Sequence, residues 1–327
     1  MTDPHLDPTR KHDFVLLIEA LDSNPNGDPD NGGLPRTDVV TGQGLITDVA
    51  IKRKIRNTVA LFNSVEQRPG YEIYVEAGTA LNAQHERAYV EGGAANKDTA
   101  QQWMCRNFFD VRMFGAVMTT GRRDRWAGRV QGPVQFGFAR SIDPVTPFDI
   151  GITRVTPTRE EDLAAWNNPQ PEGEGGKDKD KNKKKEVNAK ETEMGSKHIV
   201  PYGLYRGSGH FSAPLAAKTG VTSDDLAMFW RALTLMFEHD RAAARTGLTL
   251  RALHVFSHDD AFGRVPAHTL TDLVTATLRS DTPARSITDY DLSSPSGSDL
   301  PDGVALTTLV QPAVTPARPT ITIPAPA

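Results

Sequence analysis

Cysteine is nearly absent. The 327-residue chain has one, Cys105, so no disulfide can form within it. A reducing, cytoplasmic setting suits that, and a lone cysteine is expected as a small buried apolar side chain. Long apolar runs are missing as well. No stretch approaches the ~18 residues of a membrane helix, so no membrane partner is expected. The opening MTDPHLDPTRKHD lacks the apolar segment of a signal peptide. Neither charge sign dominates: 37 Lys and Arg meet 41 Asp and Glu, a formal net charge of −4. Bulk charge therefore does not advertise nucleic-acid binding. It does not exclude it either, because counterion release acts through a local basic groove. No period of ~20–50 residues recurs. With 38% hydrophobic residues the chain can build a sizeable core, in one large domain or two smaller ones.

The most informative stretch is Asp13–Asn63. Phe14-Val15-Leu16-Leu17-Ile18 is a continuous apolar run, which predicts a strand covered on both faces. A loop rich in Asn, Pro, Gly and Asp follows, from Asp22 to Gly44. Thr47-Asp48 then reads as a helix start with Thr47 as N-cap, and Ile51, Ile55, Val59 and Phe62 recur at core-facing spacing. Lys52 and Arg56 stack on the polar flank of that helix with Arg53 nearby, whereas Lys54 points elsewhere. Gly42-Gln43-Gly44 would let a ligand approach backbone N–H groups at the helix start. The residues alone leave a phosphate site and a solvated basic face equally open. Asp22-x-Asn24-x-Asn26-Gly27 imitates half a calcium loop, but Gly33 stands where a Glu is required and a strand precedes it. No metal is expected there, nor at His254 and His258, which fall in a strand pattern without a third ligand.

Further along, Tyr71–Glu76 alternates like a strand. Asn96–Phe114 reads as one helix stopped by Gly115, and Val130–Ser141 reads as a strand. Residues 149–206 form an excursion, Ile150–Val155 and His198–Arg206 being its strand-like limbs. A lysine-rich tip at about 163–196 has too little apolar content to order itself; it is either solvated or in loose contact with a phosphate backbone. Thr222 and Asp225 have capping-box spacing before a helix to about Arg241, with Met228, Phe229, Leu233, Met236 and Phe237 as its core stripe. Leu248–Ser257 and Leu306–Val310 read as strands, and 311–327 as a disordered proline-rich tail. The order suits an α+β fold of the ferredoxin-like (RRM-like) kind, with an antiparallel sheet and helices on one face, over a single domain of 1–310.

Asn24–Asp30, Leu34-Pro35-Arg36, Thr41–Asp48 and Lys52–Asn57, with His198–Arg206 and Met236–Arg241, resemble the backbone subunit of type I-C CRISPR interference complexes (Cascade), of the RAMP superfamily. The likeness runs from about residue 12 to 310. It implies a modified RRM-like hand with 149–206 as a hairpin thumb, several copies of the chain polymerising along the spacer of a CRISPR RNA (crRNA), and target DNA pairing with the guide. Sequence would be read by base pairing, as in other RNA-guided systems. The resemblance further implies partners: a crRNA-processing end subunit, large and small subunits, and a recruited helicase-nuclease. No cofactor is implied. Carried onto this chain, Lys52, Arg53 and Arg56 would hold guide phosphates, and Asn24, Asn26 and Gly27 with Arg36 would line the same groove. His198, Tyr202 and Arg206 would serve on the thumb side, Tyr202 either stacking on a base or simply packed. The lysine-rich tip and the proline-rich tail exceed the family pattern.

Two other functions fit the residues. Related backbone subunits of type III complexes cut RNA with a loop Asp, and this loop offers Asp22, Asp28, Asp30 and Asp38, although Asp in such loops usually makes turns. A generic single-stranded RNA-binding protein is the other. The leading expectation is a non-catalytic guide-binding subunit.

Overall fold

The computed structural model describes residues 3–154, 160 and 193–311. The elements in chain order are β1 (His12–Ser23), β2 (Gln43–Ile46), α1 (Asp48–Glu66), α2 (Leu81–Val90), α3 (Lys97–Asn107), α4 (Phe109–Phe114), β3 (Gly115–Met118), β4 (Gly128–Gln131), β5 (Val134–Phe136), β6 (Ala139–Pro144), β7 (Phe148–Arg154) and β8 (Glu193–Phe211). After β8 come α5 (Ala213–Thr219), α6 (Ser223–Leu235), β9 (Leu248–His258), α7 (Ala267–Thr271), β10 (Thr275–Leu278), β11 (Tyr290–Ser293) and β12 (Val304–Val310). The fold is α+β with antiparallel pairing between strands, and its main sheet runs β12-β9-β1-β8-β6-β2, with β5 and β7 also paired to β8.

The apolar run explains why β1 is central. Alternate side chains of a strand leave opposite faces. Phe14, Leu16 and Ile18 join the main core with α1 and α6, while Val15 and Leu17 pack on the other face. Full burial of each contributes roughly 1.5–3 kcal/mol. Both edges of β1 are hydrogen-bonded, to β8 from His12↔Phe211 to Ser23↔Val200 and to β9 from His12↔Ser257 to Ala20↔Leu248. The core strands and helices follow one another as β1-α1-β6-β8-α6-β9. The second face is covered too, by α7 and the β10–β11 hairpin through Leu270, Val274, Ala284 and Tyr290, so helices on one face is only part of the layering.

Local readings are corrected in four places. Tyr71–Glu76 is not a strand: only Glu72 makes a bridge, to Phe108, and Tyr74 and Val75 donate their N–H groups to the Asp110 carboxylate. Asn96–Phe114 is two helices, because Phe108 adopts an extended backbone (φ −110°, ψ 113°) between α3 and α4. Val130–Ser141 spans β4, β5 and β6, interrupted by Gly132-Pro133 and Gly137. The helix from Thr222 ends at Leu235, though its capping box forms as read. Gly115 does stop α4, at φ 81°. Cys105 is buried, which pushes its thiol up to about 11.

A small second core, including Tyr74, Met104, Phe108 and Val130, holds α2, α3, β3 and β4 together as a lobe. β7 pairs only with the first part of β8, from Phe148↔Ile199 to Arg154↔Glu193, and forms a two-stranded arm; beyond Val200, β8 continues into the central sheet. The lysine-rich tip before Glu193 and the tail from 312 lie outside the described residues.

Candidate nucleic-acid interface

The loop after β1 folds back on itself. Asn24 Nδ2 donates to Gly33 O at 2.8 Å, and Gly27 bridges to Pro35. A Cβ on Gly27 would stand 2.9 Å from Gly33 O, so only glycine fits this crossing. Asn26 Oδ1 accepts from the Thr47 N–H (2.9 Å) and hydroxyl (3.0 Å), tying the loop to the start of α1, while Thr47 Oγ1 caps Ala50 N–H at 3.2 Å. The loop therefore lies over one face of α1. That face carries Ala50, Arg53, Lys54 and Asn57, three or four residues apart. The segment after α6 closes the far side with Asp240, Ala244 and Arg245, and Asn24 N–H donates to Ala244 O at 2.6 Å. These walls enclose a cleft of about 400 Å³.

Three cations face one carboxylate in it. Lys54 pairs with Asp240 and lies 5.5 Å from the centroid of the Phe237 ring, and burial, opposed by Asp240, lowers its pKa. Arg245 Nε stands 3.3 Å from Asp240 Oδ2. Arg53 donates to Val75 O at 2.8 Å and has no carboxylate partner among the described residues. Two positive charges are thus in excess, beside the half-buried Asn24, Asn26 and Gly27. Asn24 Oδ1 is buried and has no donor among the described residues. Asn24, Asn26, Gly27 and Arg53 come together as one surface. Lys54, Asn57, Asp240 and Arg245 complete it, and only contacts between distant parts of the chain reveal them.

The other expected residues lie elsewhere. Lys52 is on a different flank, 3.2 Å from Asp48 Oδ2 and 2.9 Å from Gln135 Oε1. Arg56 is turned inward, 9% exposed. Its Nε donates to Asp110 Oδ2 at 2.7 Å and its guanidinium lies 5.2 Å from the Phe114 ring centroid. Arg36 pairs with Asp28 within the loop at 3.1 Å. Gly44 is filled from behind: its N–H donates to Ser141 Oγ at 2.8 Å, and a Cβ would meet the Tyr205 hydroxyl at 2.4 Å. That N–H is not offered to a ligand. His198 is on the arm, 3.3 Å from Asp149. Tyr202 donates to Glu19 Oε1 at 2.9 Å and stacks on Tyr290; burial and the nearby Glu19 carboxylate raise its pKa far above the usual phenol range. Arg206 donates to the carbonyls of Val274 (3.0 Å) and Thr271 (2.5 Å), pinning the cover of the second face.

The loop carboxylates make turns. Asp28 accepts from Asp30 N–H at 3.4 Å and pairs with Arg36; Asp38 accepts from Val40 N–H at 3.0 Å and pairs with Arg140 at 2.9 Å. Of the two histidines of β9, His258 Nε2 lies 2.9 Å from Asp13 and His254 Nδ1 lies 3.0 Å from the Thr308 hydroxyl. No helix among the described residues is long and apolar enough to cross a membrane.

Two solved structures share the outline of this fold loosely. One is a chain of a "CRISPR RNA-guided surveillance complex, pre-nicking", at 15% identity and TM-score 0.44, over 75% of this chain and 78% of that one. The other is a chain of a "CRISPR RNA-guided surveillance complex", at 16% identity and TM-score 0.36, over 74% and 68%. A curated relative from Haloferax volcanii, the "CRISPR-associated protein Cas7", is 29% identical over 156 residues, 41% of this chain. The match spans 44% of that relative, less than half its length. The family model "CRISPR-associated protein Cas7" matches residues 10–294, nearly the whole described fold, and the chain therefore belongs to the Cas7 family.

Proposed function

We propose that the chain is a non-catalytic backbone subunit of a type I-C CRISPR interference complex, and that the cleft between the Asn24 loop and α1 holds phosphates of the crRNA guide. The observation that carries this is the cleft itself: Arg53, Lys54 and Arg245 around the single carboxylate of Asp240, walled by Asn24, Asn26 and Gly27. Net positive charge beside amide groups suits a phosphate backbone and reads no base.

On this reading Arg53 is the central phosphate contact. Lys52 and Arg36 flank the path, His198 serves on the arm, and Arg56, Tyr202 and Arg206 support the fold. Copies of the chain line up along the guide, target DNA pairs with it, and the remaining complex subunits and a helicase-nuclease act around that filament. Cleavage of RNA by a loop Asp is disfavoured, since Asp28 and Asp38 are already engaged in turns and ion pairs.

The test is to co-express the chain with a CRISPR array and its partner subunits, and to sequence the RNA that purifies with it. Discrete guides of one spacer-repeat unit are expected, protected in regular steps under nuclease. Arg53→Ala with Arg245→Ala should weaken RNA binding alike for all sequences and flatten the salt slope by roughly two units. An unchanged slope removes this cleft from the RNA path. RNA cleavage that disappears in Asp28→Asn with Asp30→Asn would replace the non-catalytic reading.

A further inference from the structure

A second basic cleft lies where the small lobe meets α5 and shares no residue with the first. It is about 530 Å³ in volume and is walled by α3, β4 and α5. Arg106 comes from the last turn of α3, Arg129 from the exposed face of β4 and Lys218 from the last turn of α5, with Gln101 and Gln102 between them. All three cations are exposed. No acidic residue lines the cleft among the described residues. Among the described residues, none of the three cations has a carboxylate within 4.0 Å.

The charge continues beyond the cleft. Lys97 lies against Gly128, next to Arg129 in the chain. The β3–β4 connection carries Arg122, Arg123 and Arg125 against the single Asp124, which pairs with Arg122 at 2.7 Å and stands 3.8 Å from Arg125. Arg123 and Arg125 rest on the Trp126 and Tyr89 rings at 5.7 and 5.3 Å from their centroids. An adjoining cleft shares Arg106 and adds Arg68; there Asp225 is taken up by Arg112 at 2.7 Å and Asp224 stands 3.6 Å from Arg68.

Chains that are acidic overall do not gather unpaired cations on one lobe without cost, since like charges repel. From this we infer that the small lobe carries a second polyanion site, taking the phosphodiester backbone of a nucleic-acid strand. Arg and Lys interspersed with glutamine amides are the groups that proteins place on phosphate oxygens. A protein partner would call for a large apolar anchor at the centre of the patch. None of the exposed large apolar side chains lines this cleft. Without an exposed ring inside it, the cleft grips backbone and not bases, so binding is independent of sequence.

The strand could be DNA or another stretch of the guide, and the experiment separates these. Arg106→Gln, Arg129→Gln and Lys218→Gln are combined in the full chain; all three sites are exposed, so the variant should melt like the parent. Guide-loaded assemblies of parent and variant are compared for RNA content and for binding to a labelled DNA duplex with no match to the guide, across a salt series. We expect RNA content to hold, duplex affinity at low salt to fall at least tenfold, and the log–log salt slope to flatten by roughly two to three units. A loss of RNA content with unchanged duplex binding would assign the site to the guide and support the same chemistry. Equal RNA content with equal duplex binding and slope would overturn the inference. If the parent carries no RNA, the guide-cleft reading fails by itself, and the duplex titration on the full chain still decides this one.

Discussion

Arg56 separates two roles that a helix pattern cannot. It sits on α1 three residues from Arg53, and charge alone would place both on a guide phosphate. In the fold its Nε donates to Asp110, whose carboxylate is 1% exposed and, among the described residues, otherwise accepts only from Tyr74 N–H (2.8 Å) and Val75 N–H (3.1 Å). Arg56→Ala leaves that carboxylate buried with two neutral donors and no cation. Breaking a buried pair from one side costs about 3–5 kcal/mol. Each kcal/mol moves Tm by roughly 2–4 °C in a domain of ~150–250 residues and by less in a larger one, so a drop of roughly 5–10 °C is expected. Asp110→Asn should cost a similar amount, and the double variant less than the sum, because the two changes remove one shared interaction. Arg53→Ala, which strands no carboxylate, should melt within about a degree of the parent and still lose RNA. Differential scanning fluorimetry and RNA content on the same preparations read both effects. If Arg56→Ala melts like the parent and sheds RNA, the buried-pair reasoning is wrong and Arg56 belongs to the guide.

Two further outcomes follow from the sheet. Tyr202→Phe removes a hydrogen bond to the Glu19 carboxylate, which keeps Arg251 at 2.5 Å, so denaturant titration should show a loss of about 1.5–3 kcal/mol with RNA content unchanged; a drop in RNA would restore Tyr202 to the nucleic acid. His12 is fully buried, with Nε2 donating to Asp7 O and Nδ1 accepting from Ser257, and burial pulls it down to about 4. Below ~6.5 the unfolded chain takes up a proton that the folded chain refuses, so stability falls as pH drops toward 4, by on the order of 3 kcal/mol. Asp13, held below the usual carboxylate range against its burial by His210, His258 and Lys11, adds a loss only below ~4. Melts from pH 7 to 4 should decline in the parent and less steeply in His12→Gln, where His5, His85 and His254, also lowered by burial, still contribute; parallel curves would refute the assignment.

Legibility followed the range of the interactions. The run Phe14–Ile18 announced a two-faced central strand because burial on both sides leaves its mark within the strand itself. Thr222 and Asp225 announced the start of α6 because a cap is local. Asn24, Asn26, Gly27 and Arg53 were readable together since a loop and the helix it enters are neighbours in sequence. Lys54 was not: its partner Asp240 is 186 residues away, and a helical wheel shows only that Lys54 leaves the Lys52 flank. Tyr71–Val75 alternates like a strand, yet its N–H groups at Tyr74 and Val75 go to a side-chain carboxylate, which no periodicity records. Gly44 looked like room for a ligand and is room for Tyr205, contributed by a strand far along the chain.

The arm has a consequence for how this protein tolerates change. Arg154 and Glu193 stand opposite each other on one rung of the β7–β8 ladder, so the chain departs and returns at a single point. The rung holds both ends of the intervening segment side by side, so the length of that segment enters the fold through chain closure. Each doubling of such a segment adds only about 0.6 kcal/mol of closure entropy. The rung is therefore a ready-made port: a fluorophore, an affinity tag or a shortened connection inserted there should leave the register of β7 on β8 untouched.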